Sequence, residues 1–155
     1  MNAIIRQRGA RPVGILTELG PVEARAVRYL RLWCDGPQAQ AEVWNDLATT
    51  LGPAEARRAL QAFEEMFHLC MDHARRPLMR HGVGCTCLGA DEACFATFIG
   101  YASEGAREVA LLMATMLVAP HMAPPLAGLA QECGLTLRRM SLDPAPTVGQ
   151  RRRLH

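Results

Sequence analysis

Hydrophobic residues recur at helical spacing through most of this chain, and glycine-proline pairs mark where the pattern restarts. These pairs occur at positions 20–21, 36–37 and 52–53. Glycine commonly closes a helix and proline is favoured at the first helical position, so the pairs predict three consecutive helices. We expect these helices to span Pro21 to Cys34, Pro37 to Leu51, and residues 53–76. Each segment has apolar residues three or four positions apart, which gives it one face suited to a core.

The second half of the chain predicts three more helices after a break. Residues 77–90 lose the helical pattern and contain three glycines. Asp91 is a candidate N-cap for the fourth helix, and Ser103 for the fifth. The fifth helix is apolar on nearly all sides, so we expect it to be central, with Leu112→Ala costing about 2–5 kcal/mol. A sixth helix should end near Gly134, and residues 135–140 are a candidate strand that would pair with residues 13–19.

Composition supports a helical fold in one domain. The chain has 155 residues, of which 50% are hydrophobic and only 5% aromatic, which favours closely packed helices. We therefore predict an all-α fold, an irregular bundle of about six helices around a central apolar helix at about residues 104–118, with at most a minor two-stranded β ribbon. Residues 13–140 should form a single helical domain. A flexible basic N-terminal arm (residues 1–12) and a flexible C-terminal tail (residues 141–155) should flank it.

Charge is distributed unevenly along the chain. All 17 basic residues are arginine, and six of them lie in the first twelve and last five residues, so residues 13–150 carry about −4 although the net charge is +2. Phosphate contacts need a concentrated basic patch, so we expect no specific nucleic-acid binding by the core.

No signal peptide or apolar stretch of about 20 residues is evident, which predicts a cytoplasmic protein without a membrane segment. The expected partner is another protein or a second copy, since an apolar fifth helix that is not buried within one chain would be covered by another.

A cluster of cysteine and histidine residues suggests metal chemistry. Residues 70–94 hold four of the six cysteines and two of the five histidines, and thiolate and imidazole ligands suit zinc. His81, Cys85 and Cys87 share one short loop, so after one binds an ion the others reach it at little further entropic cost. The predicted ligands are these three residues and Cys94 at the start of the next helix. Cys70 and His73, at the end of the third helix, are the alternatives for the fourth position.

Two functional hypotheses use this loop. In the first, the protein is a non-catalytic cytoplasmic regulator or adaptor, and a structural zinc ion fixes the loop between the third and fourth helices. The sequence supplies four ligands, as closed structural sites require, and offers no obvious general base other than Asp91 or Glu92. The sequence therefore favours this first hypothesis.

In the second hypothesis, the protein is a redox-active or metal-dependent enzyme or switch that works through Cys85 and Cys87. Arg80 and His81 precede these cysteines, and nearby positive charge increases the thiolate fraction of a cysteine. A disulfide between residues only two positions apart closes a strained ring, so it would be easily reduced. Such a bond suits a switch better than a permanent structural link.

Overall fold

The computed structural model describes residues 8–142, most of which are helical. We label the elements in chain order. They are β1 (Pro12–Ile15), α1 (Pro21–Cys34), α2 (Pro37–Leu51), α3 (Pro53–Asp72), β2 (Cys87–Gly89), α4 (Ala90–Ser103), α5 (Arg107–Leu117) and α6 (Ala123–Leu142). Short 3-10 turns precede α1 and α6, and residues 8–10 are also helical. The predicted all-α bundle with a minor two-stranded ribbon is confirmed.

The glycine-proline pairs define the first three helices as predicted. The bounds of α1 and α2 are those expected, and α3 begins at Pro53. Gly36 (φ 102°) and Gly52 (φ 84°) adopt the left-handed conformation that glycine favours. α3 ends at Asp72, four residues before its predicted end. The chain turns there because Ala74 forms a β-bridge with Val118, after the end of α5.

Aromatic rings from three helices form the centre of the core. Trp33 of α1 stacks on Phe67 of α3 with 5.6 Å between the ring centroids. Phe67 also lies 6.1 Å from Phe63 and 6.2 Å from Phe95 of α4. Tyr29 meets Phe63 edge to face at 5.3 Å. Such offset and edge-on contacts add to the stabilisation from burial, so the C-terminal half of α1 is held firmly against α3 and α4.

The prediction of a central apolar helix at residues 104–118 was wrong. α5 lies at the surface, with Leu112 67% exposed and Met116 66% exposed. Its buried side consists of Ala110, Ala114 and Leu117. α4 and α6 take the central place instead, since they pack against each other and each packs against α5. An apolar composition does not determine which side of a helix meets the core, and in α5 two alanines let the helix pack closely through its smaller side chains.

The predicted strand at residues 135–140 was also wrong, because α6 continues through Gly134. A Cβ atom at Gly134 would lie only 3.0 Å from the Ser103 side chain and 3.1 Å from the Ile99 carbonyl oxygen. This glycine therefore permits close contact between α4 and α6 and does not end the helix. The ribbon pairs β1 with β2 in antiparallel fashion, and Ile15 lies opposite Cys87.

The predictions for the chain ends fall mostly outside the described part. Residues 1–7 and 143–155 are not described. Of residues 8–12, Arg11 accepts a hydrogen bond from the Ala90 backbone N–H at 3.0 Å, and Pro12 lies opposite Gly89 in the ribbon. Among the helices of residues 8–142, none has both the length and the hydropathy needed to cross a bilayer.

Candidate functional site

A buried ion pair joins α1 to the start of α4. The side chain of Arg31 is 1% exposed and that of Glu92 is fully buried. The Arg31 Nε donates to Glu92 Oε2 at 2.6 Å, and Arg31 Nη2 donates to Oε1 at 2.9 Å. These hydrogen bonds raise the pKa of Arg31 above its ordinary value. Two charges so deeply buried are tolerated only when each is paired and hydrogen-bonded.

The remaining donors of Arg31 bind the backbone around two cysteines. Nη1 donates to the Cys85 carbonyl at 2.6 Å, and Nη2 donates to the Cys87 carbonyl at 2.7 Å. Glu92 in turn accepts a hydrogen bond from the Gly89 backbone N–H at 3.0 Å. One arginine therefore binds the carbonyl groups of both cysteines in the segment Cys85-Thr86-Cys87, which we call the thiol loop.

The two thiols of this loop are neighbours. In extended backbone, side chains two positions apart lie on the same side, so Cys85 and Cys87 lie together while Thr86, between them, is exposed. The neighbouring Cys85 thiol raises the pKa of Cys87, while the charge of Arg31 lowers it. Both cysteines are only partly buried. The loop thus presents a pair of accessible thiols beside a fixed positive charge.

Asp91 holds the part of the chain that precedes the thiol loop. The sequence suggested Asp91 as the N-cap of α4, but the helix begins after Gly89, and the Glu92 side chain caps it. Asp91 instead pairs with both terminal nitrogens of Arg76 and accepts the Met79 backbone N–H at 2.7 Å. The two acids at the start of α4 therefore hold the chain before and after the glycine-rich stretch.

The other two predicted zinc ligands lie in different surroundings. His81 Nε2 is 3.0 Å from the Ala10 carbonyl oxygen, so this ring ties the N-terminal segment to the chain that precedes the thiol loop. Cys94 is half-buried in α4, and burial followed by the charge of Asp91 raises its pKa.

The alternative ligands also lie apart from the thiol loop. Cys70 is buried in α3, where burial raises its pKa to about 12. His73 is exposed and lies edge-on to His121 at 6.1 Å between the ring centroids. Throughout residues 8–142, no three His, Cys, Asp or Glu side chains come close enough together to hold one metal ion. Of the four proposed ligands, the structure brings together only Cys85 and Cys87, and the zinc site stays a prediction.

Arg31, the residue that organises this site, was not predicted from the sequence. Arg80 and His81 were the predicted sources of positive charge, but Arg80 donates to the Cys34 carbonyl at 3.2 Å and His81 contacts Ala10. One local signal was available, because Arg31 is the only charged residue in the apolar stretch from Tyr29 to Trp33. Its partner Glu92 is 61 positions away, which no local pattern indicates.

Comparisons of the chain with protein-family models, with curated proteins and with solved structures found no match. The chemistry of the thiol loop is therefore the basis for a functional conclusion.

Proposed function

We propose that the protein is a thiol-based redox switch whose reactive element is the pair Cys85 and Cys87. The observation that supports this proposal is a pair of partly exposed cysteines, separated by one residue, whose backbone carbonyls are both bound by the buried Arg31. Cysteines remain reduced in the cytoplasm, so a cytoplasmic regulator would rest in the dithiol state. This is the redox form of the second sequence hypothesis.

The proposed chemistry is thiol–disulfide exchange with a small disulfide such as oxidised glutathione. The Cys85 thiol raises the pKa of Cys87, so we assign the first attack to Cys85. Its thiolate forms a mixed disulfide and releases one glutathione thiolate. Cys87 then loses its proton and attacks the Cys85 sulfur, which releases the second glutathione. The two protein thiols are oxidised to one disulfide, and one small disulfide is reduced to two thiols.

Oxidation would be transmitted through Arg31. A disulfide across only one intervening residue imposes a strained ring, which changes the orientation of the two peptide carbonyls that Arg31 binds. The guanidinium group would then lose hydrogen bonds while remaining buried against Glu92. We therefore expect the oxidised protein to be less stable than the reduced protein, because unsatisfied buried donors are costly.

The test is a titration of the full chain with oxidised and reduced glutathione, followed by peptide mapping of the disulfides by mass spectrometry. We expect a Cys85–Cys87 disulfide to form at oxidant levels that leave Cys94 reduced, and the melting temperature to fall with the fraction oxidised. Cys85→Ser should abolish both changes. Cys94→Ser is the matched control, since Cys94 is also partly exposed, and should change neither. If Cys85 and Cys87 oxidise no more readily than Cys94, the redox proposal is wrong.

The same protein samples test the zinc-binding adaptor. Elemental analysis that finds one zinc per chain, with Cys85 and Cys87 protected from alkylation until a chelator is added, would support that prediction and overturn the redox proposal. In that case Cys85→Ser or Cys87→Ser should release the metal and lower the melting temperature, because binding energy at a structural site contributes to folding. His68→Ala, on the exposed side of α3, should do neither.

A further inference from the structure

The surface of α5 is unusually apolar for a helix exposed to solvent. Four of its apolar side chains are exposed, although the helix has only 11 residues. They are Val109, Leu111, Leu112 and Met116. Glu108 lies on the same side, one turn before Leu112. We call these five residues the α5 face. Contiguous exposed apolar side chains of this kind mark interaction surfaces.

The two ends of the α5 face carry opposite charges. Glu104 and Glu108 are exposed at its N-terminal end. Arg107 is also exposed there but lies about 100° around the helix from Glu108, so the two acids outnumber the one base at this end. At its C-terminal end the exposed Arg75 donates to the Thr115 carbonyl at 2.5 Å and to the Val118 carbonyl at 3.2 Å. The surface is therefore negative at one end, apolar in the middle and positive at the other end.

We propose that the α5 face is the interface of a homodimer in which two α5 helices pack antiparallel across a two-fold axis near Leu112. Glu108 lies four residues before Leu112, and Met116 four residues after it. The axis therefore places Glu108 of each copy opposite Met116 of the other. Because Arg75 binds the backbone beside Met116, Glu108 of one copy approaches Arg75 of the second copy, twice per dimer.

A second copy fits this surface because the surface is complementary to itself. A two-fold interface uses the same patch on both subunits, so each charge must find its opposite within that patch. The antiparallel arrangement meets this requirement, whereas a parallel one would bring two Glu108 side chains together and two Arg75 side chains together. It also aligns the two helix dipoles favourably. The proposal is independent of the thiol loop, which lies on other elements.

The first test measures self-association by sedimentation equilibrium over a range of concentrations. We expect a monomer–dimer equilibrium, and Leu112→Asp should raise the dissociation constant by about 30-fold or more, since central interface residues commonly contribute that much. Leu135→Asp is the matched control, because Leu135 is a half-exposed leucine (50%) on a different helix, α6, and should leave the constant unchanged. Circular dichroism confirms that each variant is folded.

Charge reversal tests the proposed orientation. Glu108→Arg and Arg75→Glu should each weaken the dimer, and the double variant should recover much of the affinity because the pair is restored with its charges exchanged. Arg107→Glu controls for net charge on α5. A protein that is monomeric at every concentration would overturn the proposal and leave the face to a different protein. A dimer insensitive to Leu112→Asp would overturn the assignment of this surface.

Discussion

The ion pair of Arg31 with Glu92 and the α5 face depart in opposite directions from the usual distribution of side chains, in which charged groups are exposed and large apolar groups are buried. At the ion pair, two charges are buried, and the Nε, Nη1 and Nη2 atoms of Arg31 each donate a hydrogen bond to an acceptor. On α5, Leu112 and Met116 lie in solvent while the buried side is formed by Ala110, Ala114 and Leu117. The two buried charges compensate each other within one chain. The exposed apolar side chains of α5 are not covered by any of the described residues. For this reason we assign the ion pair a role in positioning the thiol loop and propose that the α5 face binds a second copy.

Removing one member of the buried pair should have the largest effect on stability. Glu92→Leu leaves Arg31 buried without its counter-charge, and we expect a loss of about 3–5 kcal/mol in the free energy of unfolding, measured by urea denaturation. The double variant Arg31→Met with Glu92→Leu should recover much of this loss, because it removes both charges.

The exposed pair of Glu55 with Arg139, 2.7 Å apart, provides the control. Glu55→Gln should cost less than about 1 kcal/mol, since exposed ion pairs contribute little. If Glu92→Leu and Glu55→Gln had equal effects, the Arg31–Glu92 pair would not be a buried structural anchor.

Two leucines on the same helix sharpen the contrast on α5. Leu117 is 5% exposed, so Leu117→Ala should cost about 2–5 kcal/mol through lost burial and cavity formation. Leu112→Ala should cost less than about 1 kcal/mol in the monomer, because Leu112 is 67% exposed. This corrects the sequence-based expectation that Leu112 is a core residue. Unfolding measured at several protein concentrations separates the stability of the monomer from that of the dimer, and a large cost at the lowest concentration would contradict the exposed position of Leu112.

A smaller and pH-dependent effect should come from Tyr29. Burial and a hydrogen bond from its hydroxyl to Asp46 (2.5 Å) raise the pKa of Tyr29 well above its usual value. The folded state therefore binds this proton more tightly than the unfolded state. Its contribution to stability is complete below about pH 10, the pKa of an unfolded tyrosine, and is lost above it at about 1.4 kcal/mol per pH unit. Urea denaturation between pH 8 and 11, in about one-unit steps, should show this slope. Tyr29→Phe should reduce the slope above pH 10 by the contribution of one proton, about 1.4 kcal/mol per pH unit. An unchanged slope would show that Tyr29 is not responsible.

The sequence was sufficient for features determined by neighbouring residues. The bounds of α1 and α2 follow from Gly20-Pro21, Gly36-Pro37 and Gly52-Pro53, since helix ends depend on backbone conformation within a few residues. The closeness of Cys85 and Cys87 also follows from local geometry. These are the features for which the predicted and observed structures agree.

Features that depend on packing were not predictable in the same way. Gly134 resembles a helix end in the sequence, but it is a contact point between α4 and α6, because Ser103 and Ile99 lie against it. Arg31 resembles a surface residue until Glu92 is placed beside it by the fold. The exposure of α5 likewise depends on α4 and α6 occupying the centre. In each case the deciding contact comes from a distant part of the chain.

The separation of Arg31 from its acceptor has a consequence for the order in which the protein folds. Glu92 follows Arg31 by 61 positions, so at about 5–20 residues per second the ribosome adds it roughly 3–12 s after the arginine. During that interval α1 can form and contact α2, but the Arg31 guanidinium group cannot be buried as an ion pair because Glu92 is not yet present. Closing α1 onto the rest of the bundle must therefore wait for α4. We therefore expect Arg31 to delay completion of the core around α1 until the second half of the chain has been made.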